Sequence, residues 1–307
     1  MHSIGTPLFW TSFIIVVLFL LSIDLGVFHR KAREVPFREA LGWSIAWIVL
    51  SLGFGIWVWS FGRQYGLEFY TGYLIEYALS VDNVFVFILI FSYFKVPSRL
   101  HHRVLFWGIL GALVMRAIFI IIGASLISTF HWVIYVFGAF LVYTGIKILR
   151  QGDTEVDPEH NPIVRFFRKV VPMTAGYDSG KFITKHMGKL AATPLALVLV
   201  TVETTDLIFA TDSIPAIFGI TKDPFIVYTS NVCAILGLRS LYFLMAAVVQ
   251  RFVYLGTGLG IVLMFIGVKM LISGIYIIPI GLSLGIVASI LACAVIGSVL
   301  WPPKQNQ

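Results

Sequence analysis

"TVETTDLIFATDSIPAIFG", residues 201–219, places Glu203, Asp206 and Asp212 within ten residues of one another, in a stretch whose surroundings read as membrane span. On an insertion scale, one Asp at a bilayer centre costs about 2.5–3.5 kcal/mol, so three carboxylates there demand a reason. The span reading itself rests on composition. Of 307 residues, 59% are hydrophobic and only 12% are charged, with a mean hydropathy of +0.93. Soluble domains are near a quarter charged, so the chain reads as an all-α polytopic membrane protein.

Apolar runs of about 20 residues predict transmembrane helices. Nine can be marked off, at 8–28, 39–61, 70–94, 104–127, 132–149, 191–218, 225–249, 253–272 and 277–300. The first is too long for a signal h-region and no small-residue cleavage site follows it, so it reads as an anchor. Assigning the basic residues to alternate sides gives sixteen on one side and two, Arg63 and Lys222, on the other. The positive-inside rule then puts the N-terminus outside and the C-terminus in the cytoplasm. The net charge of +7 is mostly this topology signal, and a nucleic-acid partner is not needed to explain it.

Two windows of the chain resemble each other. "EYALSVDN" (76–83) and "DLIFATDS" (206–213) both read as an acid, five residues, an Asp and a small polar residue. "ALVMRAIF" (112–119) and "ILGLRSLY" (235–242) each set an Arg in mid-span, and "TGIKIL" (144–149) and "IGVKML" (266–271) each set Gly-x-Lys near a span end. The Arg-to-Lys spacing is 31 and 30, and the Asp-to-Arg spacing 34 and 27, a difference of about two helical turns. Another register, Asp82 on Asp206, needs only a one-residue gap but loses the leading acid and the small polar partner. With three spans per unit, the second unit must cross in the opposite sense. That is a three-plus-three inverted-topology repeat, as in many secondary transporters, whose substrate site lies near midplane where the units meet.

The chain therefore divides into an N-terminal two-helix segment (1–69), repeat unit 1 (70–149), a cytoplasmic linker (150–190), repeat unit 2 (191–272) and a C-terminal span with a tail (273–307). In the linker, "IVRFFRKVV" (163–171) alternates apolar and basic residues and suits the membrane surface. The segment "TAGYDSGKFITKHMGKLAATP" (174–194) has the turn residues of a small hairpin.

Six acids fall inside spans: Asp24, Glu76, Asp82, Glu203, Asp206 and Asp212. Asp24, Lys147 and Lys269 lie near span ends and read as anchors or ion-pair partners. Arg116 and Arg239 are central, and need carboxylates or carbonyls as partners. They are candidate counter-charges that occupy the acidic site when substrate has left, or fixed pairs that set helix packing. On an ideal helix Glu76 and Asn83 share a face, as do Asp206 and Ser213. Glu203 and Asp212 point to opposite sides unless the helix unwinds around 212–215, before and at Pro215. Convergence of both units would gather five carboxylates, the Asn83 amide and the Ser213 hydroxyl. This all-oxygen set suits hard divalent cations such as Mn²⁺, Ca²⁺ or Mg²⁺ over Zn²⁺ or Cu⁺. Packed carboxylates also attract protons, so protons are candidate competitors. Five acids against two arginines leave a surplus that only protons or a metal can balance.

"SVDNVFV" (80–86), "ATDSIPAIF" (210–218) and "SNVCAILGLRSLYFL" (230–244) resemble the TerC family, in its Alx-like branch of bacterial membrane proteins. The resemblance runs from about residue 5 to residue 300. It implies a cation-exporter superfamily with an inverted core, a place in the bacterial inner membrane and a role in manganese efflux. The acidic motifs carry over onto Glu76, Asp82, Asn83, Glu203, Asp206, Asp212 and Ser213 as candidate metal ligands. The metal is then the transported substrate, with no permanently bound cofactor, and the partners are the cation, protons and the lipid bilayer. Alternatives are a Ca²⁺ exporter, or a tellurite- or redox-stress protein that transports no metal. For an enzyme the signals are poor: GxGD, HExxH and GxSG are all missing. A retinal-type Schiff base at Lys269 fits poorly with a matched lysine pair. Cys233 and Cys293 form no CxxC pair.

Overall fold

The computed structural model describes residues 3–28, 36–130, 132–151, 172–174, 176–177, 180–186, 189–246, 254–276 and 278–300. The side chains of residues 24–28, Asp82, Phe85, Gln151, Lys185, His186 and Lys189 lie outside that description, as does the stretch 163–171.

Almost every described element is helical: α1 (Pro7–Phe28), α2 (Phe37–Trp59), α3 (Arg63–Tyr93), α4 (Ser98–Thr129), α5 (Val133–Gln151), α6 (Pro194–Phe218), α7 (Pro224–Leu236), α8 (Leu238–Ala246), α9 (Leu255–Leu271) and α10 (Ile280–Leu300). Six of these, α2 to α6 and α10, are long and apolar enough to cross a bilayer. The pair α7 and α8, bent by 40° at a break, would make a seventh. Two more stretches, Pro7–Ile23 and Leu255–Leu271, are apolar but shorter.

The helix starts follow local chemistry. Pro194 and Pro224 occupy first-turn positions, where a missing N–H costs nothing. Asp223 caps α7 by accepting from the Phe225 N–H at 2.9 Å. The same carboxylate accepts from Ser3 Oγ at 2.6 Å and from the Ile4 N–H at 2.9 Å, which straps the start of the chain to the α6–α7 turn.

The unwinding around 212–215 that would let Glu203 and Asp212 meet does not occur. Helix α6 continues through Pro215 to Phe218. Proline removes one backbone donor, but residues Ser213 to Phe218 are all buried, and their packing holds the helix together. A break comes instead at Gly237, between α7 and α8.

Around the centre, α3 and α6 have 62% and 56% of their apolar windows buried, against 17% for α10. Isoleucine, leucine and valine side chains such as Ile121, Ile15 and Val299 stay exposed on outer helices, a surface that only lipid can cover without cost. The most extensive helix pairing is α5 with α9, followed by α3 with α7, α4 with α6 and then, equally, α3 with α6 and α9 with α10. The expected hairpin is present at the end of the linker. Strand β1 (Ile183–His186) pairs antiparallel with β2 (Lys189–Ala192), Ile183 opposite Ala192. It is held close to α3 and α4 by Tyr177, whose hydroxyl donates to Phe94 O at 2.6 Å, and by Arg103, which donates to Gly180 O.

Candidate functional site

One stripe of α3 faces α6 and α7. Gly72, Glu76, Ser80 and Asn83 recur at helical spacing, and the last three are buried. Gly72 sets how close α7 comes, since a Cβ there would sit 2.8 Å from Ser230 Oγ. The next residue on α7, Asn231, is fully buried and reaches Glu76.

Arg116 of α4, also fully buried, stands at the centre. Its Nη1 donates to Glu76 Oε1 and, at 3.1 Å, to Asn231 Oδ1. Its Nη2 donates to Asp206 Oδ1 at 3.1 Å, with Nε 3.5 Å from Asp206 Oδ2. Asn231 Nδ2 closes the circuit on Glu76 Oε2 at 3.0 Å. One guanidinium therefore binds the acids that lead both repeated motifs. Its fork geometry suits two carboxylates at once, which an ammonium would not match.

The other predicted residues are divided. Ser213 is buried and lies beside Glu76, with its hydroxyl acting on that carboxylate. Glu203, one turn before Asp206 on α6, is half-buried and packs on Gly111 of α4, where a Cβ would collide with the carboxylate. Its Oε2 is buried and makes no hydrogen bond. Asp212 turns toward α5, where it accepts from Thr144 Oγ1 at 3.2 Å and feels the charge of Lys147 one turn further on. Asn83 is buried on the α3 stripe, and Arg239 is buried on α8 just past the break. Asp82 sits on α3, but its side chain lies outside those described.

Of the five carboxylates, the Asp82 side chain lies outside the described residues, and among the other four only Glu76 and Asp206 meet, at Arg116. Among the described residues no three Asp, Glu, His or Cys side chains gather as a metal-binding group. Arg116 stands between the two that face each other, and α6, unbroken at Pro215, keeps Asp212 turned away from Glu203.

Sequence reasoning missed Asn231, Thr144 and Glu68. Counting charges in spans passes over neutral amides and hydroxyls, although an Asn inside "TSNVCAIL" is itself a polar group that needs partners. Glu68, which falls just before the predicted span at 70–94, is buried. It accepts from Gln64 Nε2 at 2.8 Å and Thr221 Oγ1 at 2.6 Å, with Lys269 acting nearby.

Charge bookkeeping states what the centre can do. Two ionised carboxylates and one guanidinium leave a net charge of −1. With Arg116 withdrawn, the same two carboxylates would neutralise one divalent cation. With both present the centre would carry +1 in a low-dielectric interior.

Comparison with known proteins accords with a membrane-spanning chain. The family model described as "Integral membrane protein TerC family" matches residues 61–306. A protein of Myxococcus xanthus, "Uncharacterized membrane protein STKORF319", is 50% identical over 97% of this chain and 94% of its own. "Putative membrane-bound redox modulator Alx" of Escherichia coli K12 is 49% identical over 95% of this chain and 94% of its own. Its namesake in Salmonella typhi is also 49% identical, over 96% and 95%. No solved structure matches.

Proposed function

We propose that this chain, which belongs to the integral membrane protein TerC family, is a secondary transporter that exports a hard divalent cation, Mn²⁺ foremost, with protons as the counter-ion. The observation that carries the reading is Arg116 bridging Glu76 and Asp206. These are the corresponding acids of the two sequence units, and a tethered guanidinium between them acts as the stand-in for the departed cation. Each carboxylate comes from a different unit, so a relative movement of the units opens or closes the site.

Support for the inverted repeat comes from α5 and α9. A Cβ at Gly138 would lie 2.9 Å from Gly267 O, and one at Gly267 2.6 Å from Gly138 O. A Cβ at Gly145 would lie 2.6 Å from Gly260 O, and one at Gly260 3.1 Å from Gly145 O. The motif alignment makes Gly145 the equivalent of Gly267, and the same offset makes Gly138 the equivalent of Gly260. Exchanging the units therefore maps each contact onto the other, as an isologous interface requires. The exchange also maps the α3–α7 pairing onto α6–α4. In this reading the nine predicted spans include α1 and α9.

Oxygen donors suit Ca²⁺ as well as Mn²⁺, so a Ca²⁺ exporter is the nearest competing reading. A redox role like that in the relatives' name gains nothing from the thiols here. Cys233 is buried on α7, Cys293 is exposed on α10, and both are free. The deciding experiment is cation uptake into inside-out vesicles, comparing Mn²⁺, Ca²⁺, Mg²⁺ and Zn²⁺ with and without an imposed pH gradient. Uptake of Mn²⁺ that rises with the gradient is expected. No uptake of any cation above that of vesicles lacking the protein would overturn the proposal.

A further inference from the structure

The centre holds more oxygen atoms than the carboxylates account for. Ser80 lies one turn beyond Glu76 on the same stripe of α3, fully buried, and its hydroxyl makes no hydrogen bond. Ser213 on α6 is also buried and lies beside Glu76, with its hydroxyl acting on that carboxylate. A buried hydroxyl left without a partner is costly, and most buried polar groups in folded proteins are satisfied. The orphaned Ser80 hydroxyl, one turn from Glu76, therefore marks a place built for something else.

Asn231 stands across from them. Its two amide atoms are used differently. Nδ2 donates to Glu76 Oε2 and so fixes the orientation of that carboxylate. Among the described residues Oδ1 accepts from Arg116 Nη1 alone, at 3.1 Å. When the guanidinium withdraws, Oδ1 loses its donor while Nδ2 keeps its acceptor. The result is a neutral carbonyl oxygen, held in place, next to an ionised carboxylate. Such an oxygen is a hard-cation ligand, of the same kind as the backbone and Asn carbonyls that complete Ca²⁺ and Mn²⁺ shells.

We infer that Asn231 is a cation ligand and selectivity residue: its amide oxygen passes from Arg116 to the cation, and the hydroxyls of Ser80 and Ser213 complete the neutral half of the shell around Glu76. This rests on the exporter reading and deepens it. Glu76 and Asp206 supply the charge that neutralises a divalent cation. Asn231, Ser80 and Ser213 supply neutral oxygens without adding charge, so the shell grows and the net charge does not. An all-oxygen shell also disfavours the softer Zn²⁺, for which imidazole is the better donor.

The test uses purified full-length protein in lipid nanodiscs, with Mn²⁺ and Zn²⁺ titrated calorimetrically into wild type, Asn231→His and Asn231→Ala. Asn231→His puts an imidazole nitrogen in place of the amide oxygen. It is expected to move the ratio of Mn²⁺ to Zn²⁺ dissociation constants toward zinc by at least tenfold. A residue that merely orients Glu76 would weaken both metals alike and leave the ratio unchanged, which would overturn the inference. Asn231→Ala, smaller than the native residue, keeps the test open if the histidine does not fold. It is expected to weaken Mn²⁺ binding at least tenfold, and an unchanged Mn²⁺ constant in it would overturn the inference while the exporter reading stands. Absence of saturable Mn²⁺ binding by wild type would overturn the exporter reading, and this inference with it.

Discussion

Gly145 on α5 and Gly260 on α9 limit each other's approach: a Cβ on either would lie within 3.1 Å of the other's carbonyl oxygen. The crossing brings backbone against backbone, which lets two helices pack by van der Waals contact where lipid removes any hydrophobic gain. Because Gly138 and Gly267 repeat the same contact, the crossing is a two-point seam that ties α5 to α9.

Gly145→Val and Gly267→Val are therefore expected to destabilise the protein by comparable amounts, about 1–3 kcal/mol each, because both force the same seam apart by overpacking. Thermal melting of detergent-purified protein measures it. A large loss in one and none in the other would contradict the equivalence of the two glycines.

Arg116→Gln removes the only charge that faces both Glu76 and Asp206 in the described network. Breaking a buried pair costs about 3–5 kcal/mol, so the variant should melt well below wild type. Mn²⁺ should restore more stability to it than it adds to wild type, because the competing guanidinium is gone and binding stabilises by mass action. A melting temperature of the variant that ignores Mn²⁺ would remove Arg116 from competition with the cation.

Much of this was legible in the sequence, for physical reasons. Long apolar runs have one stable solution in a bilayer, so the helices fall where hydropathy puts them. A buried Arg needs carboxylates, so Arg116 and its acids could be named together. What spacing could not say was which acids. Glu76 and Asp206 come from helices far apart in the chain, and only the packing of α4 between them brings both to one guanidinium. Pro215 misled, because proline signals a break by local chemistry while the buried turn around it holds the helix. The break fell at Gly237, inside "ILGLRS", where small size rather than a missing donor lets the chain bend. Asn231 escaped notice because a neutral amide carries no charge to count.

The topology implied by the inverted repeat can be read directly. Single cysteines at Arg63, Arg99 and Lys222, all exposed positions, would be introduced into a chain from which Cys233 and Cys293 have been removed. An impermeant thiol reagent is expected to label positions 63 and 222 from outside intact cells, and position 99 only after the membrane is opened. Labelling of 63 and 222 from opposite sides would end the inverted-repeat argument.

Asp82→Asn and Asp212→Asn separate the two roles a buried acid can have. The structure makes Asp212→Asn a mild change to the fold, since an Asn oxygen can still accept from Thr144 Oγ1 and the side chain keeps its shape. What it loses is the charge that Lys147 faces. A structural pairing with Lys147 near a span end is worth little, about 0–1 kcal/mol for exposed pairs, so stability should fall only slightly. Transport should fall much further if both are what the sequence motifs make them, candidate ligands of the transported cation. Expression and melting temperature near wild type, together with Mn²⁺ uptake in inside-out vesicles reduced at least tenfold, are the expected results for both variants. Full uptake by the Asp82→Asn, Asp212→Asn double variant would take both residues off the cation's path and leave Glu76 and Asp206 as the carboxylates of the site.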